Sequence, residues 1–467
     1  MPPVPDKVID LAKAVRAAGG RAFLVGGCVR DPLMGIQPKD WDLEVYGLEP
    51  ATLRALLDRF GSVNVVGEAF TVYKIGSDLD VSLPRRERKS GRGHRAFVID
   101  GDPTMSVEEA SLRRDFTVNA ILQDPLTGEL IDPFRGSGDL KNGVLRAVSS
   151  DTFVEDSLRV LRAAQFAARF QFQIDEATVA LCRQIDLSDL PPERIWGEIE
   201  KLLLLADRPS LGFQWLQKLT ALEQLFPEIA SLIDVPQDPE WHPEGDVFIH
   251  TLLTIDRAHE LIENLSYPRR VTVMLAAVAH DFGKPPTTAF LEGRWRSRGH
   301  EEAGVGPTES FLNRLNVHTI EGYDVRSQVI ALVREHLKPG EFYKKQDEVG
   351  DGAFRRLARK CELDLLYRVA SADSLGRNAE WVPREKWYDA EAQEWFIARA
   401  KELEVAQSAP NPILLGRHLL ELGVQPGPAM GELTRAVYEM QLDGRVTNLE
   451  EAIEAAKKII ESEQGND

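Results

Sequence analysis

Two aspartates one residue apart, Asp40 and Asp42 in LVGGCVRDPLMGIQPKDWDLEVYG (residues 24–47), mark the first place where this sequence could do chemistry. Side chains at i and i+2 of a strand share a face, so the pair sets two like charges side by side unless a cation lies between them. Carboxylates are hard oxygen donors, and Mg2+ is commonly held by one or two of them together with substrate phosphates. Upstream, Gly26 and Gly27 let a ligand approach the backbone, and the helix expected after them would turn its N-terminus toward an anion. Arg30, in the first turn of that helix, carries a guanidinium suited to a triphosphate. A strand with an exposed polar face is the plainer alternative; the Gly-Gly turn and the arginine favour a metal site beside a phosphate-binding turn. Asp80, in DLDVSL, is a candidate third carboxylate on a neighbouring strand, although an ordinary polar strand position is the expectation there.

A second cluster is SLRRDFTVNAI (111–121). Arg114 could bind phosphate, and Asp115 and Asn119 suit ribose hydroxyls; alternatively, Asp115 is simply a helix N-cap. A third is EDSLRVLRAAQF (155–166), where i, i+3 spacing would place Asp156, Arg159 and Arg162 on one helix face. An intrahelical salt bridge is the bland reading of that spacing. The sharper one is base recognition. Cytosine and adenine each offer an amine donor beside a ring-nitrogen acceptor, which an acceptor (Asp156) next to a donor (Arg159) complements. Guanine and uracil present the reverse order, so such a pair would select CTP and ATP without a nucleic-acid template.

Seven of the nine histidines fall between His242 and His336. Among them are His250, the doublet His280–Asp281 in LAAVAHDFGKPP, His300 and His336, and Asp373 follows in VASADSLGR. A lone helical histidine is usually structural, but a His-Asp doublet closing an apolar helical run is less ordinary. Imidazole with carboxylate suits transition metals rather than Mg2+.

The elements that must position these groups change character along the chain. Residues 1 to about 145 alternate strand-like runs (RAFLVGG, WDLEVYG, FTVYKIG, DLDVSL) with helices, and DPLTGELIDPFRGSGDLKNGVLRAV (124–148) reads as a hairpin closing the sheet. From about 150 the apolar spacing is helical throughout, with breaks at 234–246, 348–352 and 407–412. The fold class expected is α+β, a mixed head followed by an all-helical body. At 467 residues several domains are expected, and 43% hydrophobic with 28% charged residues is a globular balance. Three distant cysteines support neither a disulfide framework nor a zinc ribbon and suit a reducing cytoplasm. The N-terminal stretch reads as a charged amphipathic helix rather than a signal peptide, and no apolar run reaches the 18 or so residues of a membrane span. A net charge of −18 argues against general nucleic-acid stickiness. The run from Arg85 to Arg95, with six Lys/Arg against one acid, is a local basic patch or a solvated loop.

In order, LVGGCVRD…KDWD, RRDFTVNAI, DPFRGSGDL, EDSLRVLRAAQFAARF and PPERIWGEIEKLL closely resemble the motifs of class II tRNA nucleotidyltransferases (CCA-adding enzymes) and their bacterial poly(A) polymerase relatives, over residues 20 to 230. The resemblance implies Asp40 and Asp42 as ligands of two Mg2+ ions. Gly26, Gly27, Arg30, Arg114, Asp115, Asn119 and Arg162 would line the nucleotide, with Asp156 and Arg159 as the amino-acid template. The reaction implied is in-line attack of the tRNA 3′ hydroxyl on the α-phosphate of CTP or ATP. Gln165 stands where the family usually has arginine. The order H…HD…H…H…D over residues 240 to 380 resembles the HD phosphohydrolase superfamily. That implies His250, His280, Asp281 and Asp373 as ligands of Ni2+, Co2+ or Mn2+, with His300 and His336 completing a second metal site or binding phosphate. Some CCA-adding enzymes carry such a domain, acting on 2′,3′-cyclic and 2′-phosphates. The domains expected are a head (1–148), a helical neck (149–235), an HD domain (236–385) and a helical tail (386–467). In the tail, the GVQPGPAMG turn (423–431) could touch tRNA. A-adding, CC-adding and poly(A)-adding relatives share the head chemistry; a long segment between the Asp pair and Arg113 favours terminal A addition. A non-catalytic RNA-binding protein would lack one of these ligands, and none is missing.

Overall fold

A computed structural model describes residues 3–66, 72–89 and 97–464. They fall into two compact units, residues 1–227 and 228–467.

In the first unit, β1 (Arg21–Val25), β2 (Trp41–Tyr46), β3 (Val63–Val66), β4 (Val72–Ile75) and β5 (Leu79–Ser82) are followed by a separate ribbon, β6 (Arg85–Lys89) with β7 (Phe97–Gly101). The short strands β8 (Leu122–Gln123) and, at the edge, β9 (Leu130–Ile131) complete a seven-stranded sheet ordered β3-β4-β5-β2-β1-β8-β9. β1 pairs antiparallel with β2, and β2 pairs parallel with β5, in a register that sets Asp42 opposite Asp80. The sheet is covered on both faces, which is why β1 reads as an unbroken apolar run. On one face, Leu24, Leu43 and Val45 pack with Leu11 and Val15 of the helix Asp6–Ala17 and Leu53 of Pro50–Leu57. On the other, Phe23, Val25 and Tyr46 pack with Met105, Ala110 and Leu122. Strand alternation therefore gives β2 an apolar face (Leu43, Val45) and a polar one (Asp42, Glu44). The expected sheet-closing hairpin is present as β8–β9, with Leu122 opposite Ile131. Where a loop was expected after Pro84, β6 and β7 form an antiparallel ribbon; residues 90–96 of the basic run lie outside the described residues. The unit continues into the helices Leu158–Phe170 and Pro192–Leu205, which pack on each other.

The second unit is helical apart from two short hairpins among its described residues. The helices Val247–Glu260, Tyr267–Ala279, Val325–Glu335 and Leu363–Gly376 form its centre. Tyr267–Ala279 is apolar almost all round, with Val273 through Ala279 buried, as a central helix must be. Asp246 and Asp324 cap the first turns of two of the others, accepting from Ile249 N at 2.8 Å and Ser327 N at 3.0 Å. Three tail helices, Gly416–Glu421, Pro428–Leu442 and Leu449–Gln464, hold an apolar cluster of their own. Gly423, at φ +83°, opens the turn between the first two, and the next helix already begins at Pro428, so the turn is shorter than GVQPGPAMG suggested. Among the described residues no helix is long and apolar enough to cross a membrane.

Candidate functional site

In the first unit, a cleft of about 500 Å3 is lined by Gly26, Gly27, Asp42 and Arg114 together with Asp156, Arg159 and Arg162. Gly26 has φ +70°, a conformation side chains rarely adopt, and a Cβ there would point between Asp42 Oδ2 (3.8 Å) and Arg114 Nη1 (3.9 Å). Burial, then the charge of Asp80, push the Asp42 carboxyl up to about 6; Arg114 opposes this, Asp40 adds to it and Lys74 opposes it again. Lys74 itself pairs with Asp80 at 3.0 Å. Hard carboxylate oxygens under mutual repulsion beside an open glycine turn are a donor set that fits Mg2+. Asp80 thus belongs beside Asp42 rather than at an unremarkable strand position. Asp40, placed by the sequence inside the strand, is exposed and lies one residue before it. Behind Asp42, Cys28 Sγ lies 3.6 Å from the Asp42 carbonyl and 3.1 Å from that of Val25, and burial pushes its thiol up to about 12.

Glu44, two residues on from Asp42, was missed from sequence although the pattern D-x-D-x-E contains it. It is 1% exposed and pairs with Arg113 at 2.7 Å and Arg114 at 3.4 Å, while Tyr46 donates to it at 2.6 Å. Burial alone would raise its carboxyl; the two arginines and Tyr46 hold it below the ordinary value. Glu44 therefore fixes Arg114 at the wall of the cleft.

Arg30 differs from expectation. It is buried, pairs with Asp31 at 2.5 Å, donates to Asn119 Oδ1 at 2.6 Å, and lies over the rings of Phe166 and Phe170. These contacts tie the glycine turn to the helix Leu158–Phe170, and Arg30 still lines the cleft. Asp115 caps no helix: it accepts from Asn119 Nδ2 at 2.9 Å and from Arg162 Nε at 2.7 Å. Burial would raise its carboxyl, and Arg162 with Asn119 holds it low. Arg162, Asp115, Asn119 and Arg30 form one continuous polar chain along the cleft. Asp156 precedes the helix that begins at Leu158, so it does not share a helix face with Arg159. It pairs with Arg194 at 2.9 Å, whereas Arg159 donates to the carbonyls of Thr152 (2.7 Å) and Arg113. Arg194 is a further cleft residue that sequence reading passed over inside PPERIWGEIEKLL. Gln165 is 2% exposed, lines the cleft, and leaves its Nε2 without a hydrogen-bond partner among the described residues.

The second unit gathers His250, His280, Asp281, His300, His336 and Asp373 from separate elements. His250 and Asp373 come from the bodies of two helices, His280 and His336 from the ends of two more, and His300 opens a short turn of helix. Nδ1 of His280, His300 and His336 meets the carbonyls of Ala277 (2.8 Å), Ser297 (2.8 Å) and Val333 (2.6 Å). A carbonyl only accepts, so each Nδ1 carries a proton and Nε2 is the ring nitrogen turned to the cavity. These Nε2 atoms turn toward one centre: His280 lies 3.2 Å and His300 3.4 Å from Asp281, and His300 and His336 are 3.3 Å apart. His250 Nε2 reaches Asp373 at 3.0 Å and Asp281 at 3.9 Å. His280 Nε2 and Asp281 Oδ2 are buried and have no hydrogen-bond partner among the described residues. Among the described residues three groups, His242–Glu244–His250, His250–His280–Asp281 and Asp281–His300–His336, have spacing that can hold a metal ion, and the last two share Asp281. Burial, with His300 and His280 nearby, pushes His336 down to about 3, so it is neutral and free to coordinate. Lys284 adds a cation 2.8 Å from Asp281. Glu244, fully buried and again missed from sequence, sits 2.7 Å from His250 Nδ1 and 2.9 Å from His242 Nδ1. It does for His250 what carbonyls do for the other three histidines.

Residues 22–146 match the poly A polymerase head domain, residues 171–233 the probable RNA and SrmB-binding site of polymerase A, and residues 247–378 the HD domain. The multifunctional CCA protein of Xanthomonas oryzae pv. oryzae is 38% identical over 432 residues, 89% of this chain and 97% of that protein. That of Haemophilus influenzae is 41% identical over 305 residues, 64% of this chain and 71% of that protein. Among solved structures, the Bacillus stearothermophilus CCA-adding enzyme in complex with CTP superposes with a TM-score of 0.65 at 19% identity, covering 99% of this chain and 98% of that one. The Thermotoga maritima CCA-adding enzyme complexed with tRNA gives a TM-score of 0.58 at 20% identity, covering 98% and 97%.

Proposed function

This chain belongs to the family of multifunctional CCA proteins, CCA-adding tRNA nucleotidyltransferases, and from that premise we propose how its residues divide the work. In the first unit, the 3′ hydroxyl of tRNA attacks the α-phosphorus of CTP or ATP. A bond forms to the 3′ oxygen, the bond to the β-phosphate breaks, and pyrophosphate leaves. Asp40, Asp42 and Asp80 would hold Mg2+, which supplies Lewis-acid stabilisation of charge at the phosphorus when bound. The Gly26–Gly27 turn leaves room for the triphosphate, and Arg114, steadied by Glu44, faces it. Asp115 and Asn119 orient the ribose; Asp156 and Arg159 read the base edge. The observation that carries this reading is one cleft lined by the carboxylate and glycine turn together with the Asp156–Arg159 pair.

The second unit is a metal-dependent phosphohydrolase of 2′,3′-cyclic and 2′-phosphate ends. Support comes from the imidazole Nε2 atoms directed at Asp281, a donor set fitting Mn2+, Co2+ or Ni2+. The metal would activate water toward phosphorus; Lys284 would neutralise charge on the phosphoryl group. The test of both readings offers tRNA ending at the discriminator base, at C or at CC, with CTP and ATP singly and together, and separately a 2′,3′-cyclic nucleotide with Mn2+, Co2+ or Ni2+. Asp40→Ala with Asp42→Ala should abolish incorporation and spare hydrolysis; His280→Ala with Asp281→Ala should do the reverse. Incorporation by the first double variant, or no hydrolysis by metal-loaded wild type, overturns the corresponding half.

A further inference from the structure

We infer that the mouth of the histidine–aspartate cavity is a nucleobase-stacking site, in which Trp241 and Trp295 hold the base of a terminal nucleotide whose phosphate faces Lys284 and Arg377. The cavity, of about 220 Å3, is lined by both tryptophans as well as by Asp281 and His336. That volume is below the roughly 300 Å3 of sites that enclose a drug-sized ligand. A nucleotide would place its phosphate and sugar within and leave its base at the rim. The tryptophans remain 50% and 38% exposed, although indole is a side chain that folding normally covers. Neither sits on a loose segment. Trp295 belongs to the hairpin Thr288–Leu291/Arg294–Ser297 and packs edge-on against Phe290, with ring centres 5.2 Å apart. Arg294 of that hairpin pairs with Glu240 at 2.7 Å and approaches Asp238 at 3.9 Å, latching the hairpin to the loop that carries Trp241. Lys284 is only 8% exposed, and Arg377 lies 3.8 Å from Asp373. Cations inside and flat π-faces outside match a phosphate attached to a nucleoside, because any base can stack.

This inference rests on the phosphohydrolase reading and adds the base as a recognised element. The experiment titrates full-length protein with adenosine 3′-phosphate and with inorganic phosphate by calorimetry, with and without Mn2+. Trp241→Ala and Trp295→Ala should each weaken the nucleotide about ten-fold or more. Their affinity for phosphate should stay within about two-fold of wild type, and Trp295→Phe should recover much of the loss. CTP incorporation into tRNA serves as the folding control and should not change. An unchanged nucleotide affinity, or equal losses for nucleotide and phosphate, overturns base stacking. Wild type that binds phosphate as tightly as nucleotide rejects the stacking site but leaves the hydrolase reading standing. Wild type that binds neither also rejects the stacking site, and hydrolysis of the 2′,3′-cyclic nucleotide then decides the hydrolase reading separately.

Discussion

Replacing Asp80 by asparagine should make the metal-free protein more stable and the enzyme worse. Raising the Asp42 carboxyl from 3.8 to about 6 corresponds to about 3 kcal/mol. The folded state holds that proton more tightly than the unfolded chain does. The destabilisation is therefore absent below pH 3.8, grows through the interval and is complete above about pH 6. Burial supplies the largest share and Asp80 the next, so removing the Asp80 charge should return about 1 kcal/mol. Losing its pair with Lys74, whose side chains are 47% and 34% exposed, subtracts up to about 0.5 kcal/mol. The net expectation at pH 8 in EDTA is a gain of roughly 0.5 kcal/mol, turning into a loss of up to about 0.5 kcal/mol near pH 4.5, where Asp42 is protonated and only the lost Lys74 pair counts. Urea unfolding reads this out, following the transition that CTP shifts, since ligand linkage identifies the nucleotide-binding unit. Saturating Mg2+ and CTP should reverse the order, because Asp80 is then a ligand rather than a neighbour in excess. A variant less stable than wild type at pH 8 in EDTA, or a gain equal at both pH values, would refute the reasoning.

Glu44→Gln should destabilise the protein by about 3 kcal/mol, because Arg113 and Arg114 lose a buried counter-charge, and it should raise the KM for CTP; unfolding and steady-state kinetics check both. Asp156→Ala and Arg159→Ala should each narrow discrimination against UTP and GTP, costing the correct nucleotide about one to two decades in rate. Single-nucleotide incorporation with all four triphosphates measures this, and wild-type selectivity in either folded variant would remove the pair from base recognition. Glu244→Gln should weaken Mn2+ or Ni2+ binding about ten- to hundred-fold by releasing the His250 ring, as calorimetry would show.

Period-2 and period-3.6 patterns make the head and the helical body legible, and residue type with spacing singles out Asp42 and Arg114, whereas the set of HD ligands is implied by the family resemblance. What remained hidden depended on partners far away in the chain. The bond from Arg30 to Asn119, eighty-nine residues away, appears only once the chain is folded. Asp80 gains its meaning from parallel pairing of β5 with β2, which no local pattern announces. Asp40 and Asp156 sit one or two residues outside the elements assigned to them, where element ends are hardest to read. Glu244 lies in WHPEGD, a loop without periodicity, and only the orientation of His250 reveals it. The tautomers of the other three metal-site histidines are set by backbone carbonyls, which sequence cannot point.

The burial of Cys28 behind Asp42 bears on how this protein can be handled. Cys182 is likewise buried with its thiol pushed up to about 12, and Cys361 is pushed upward by burial too. At pH 8, a thiol titrating near 12 is thiolate for a fraction on the order of 10⁻⁴. Alkylating dyes and mild peroxide attack the thiolate, so all three native thiols should stay silent toward them while the fold is intact. A single cysteine introduced at an exposed position such as Leu205, which is 52% accessible, would then be the one labelled point on a wild-type background. Fluorescence at that point could follow tRNA arriving and leaving without the native cysteines being removed first.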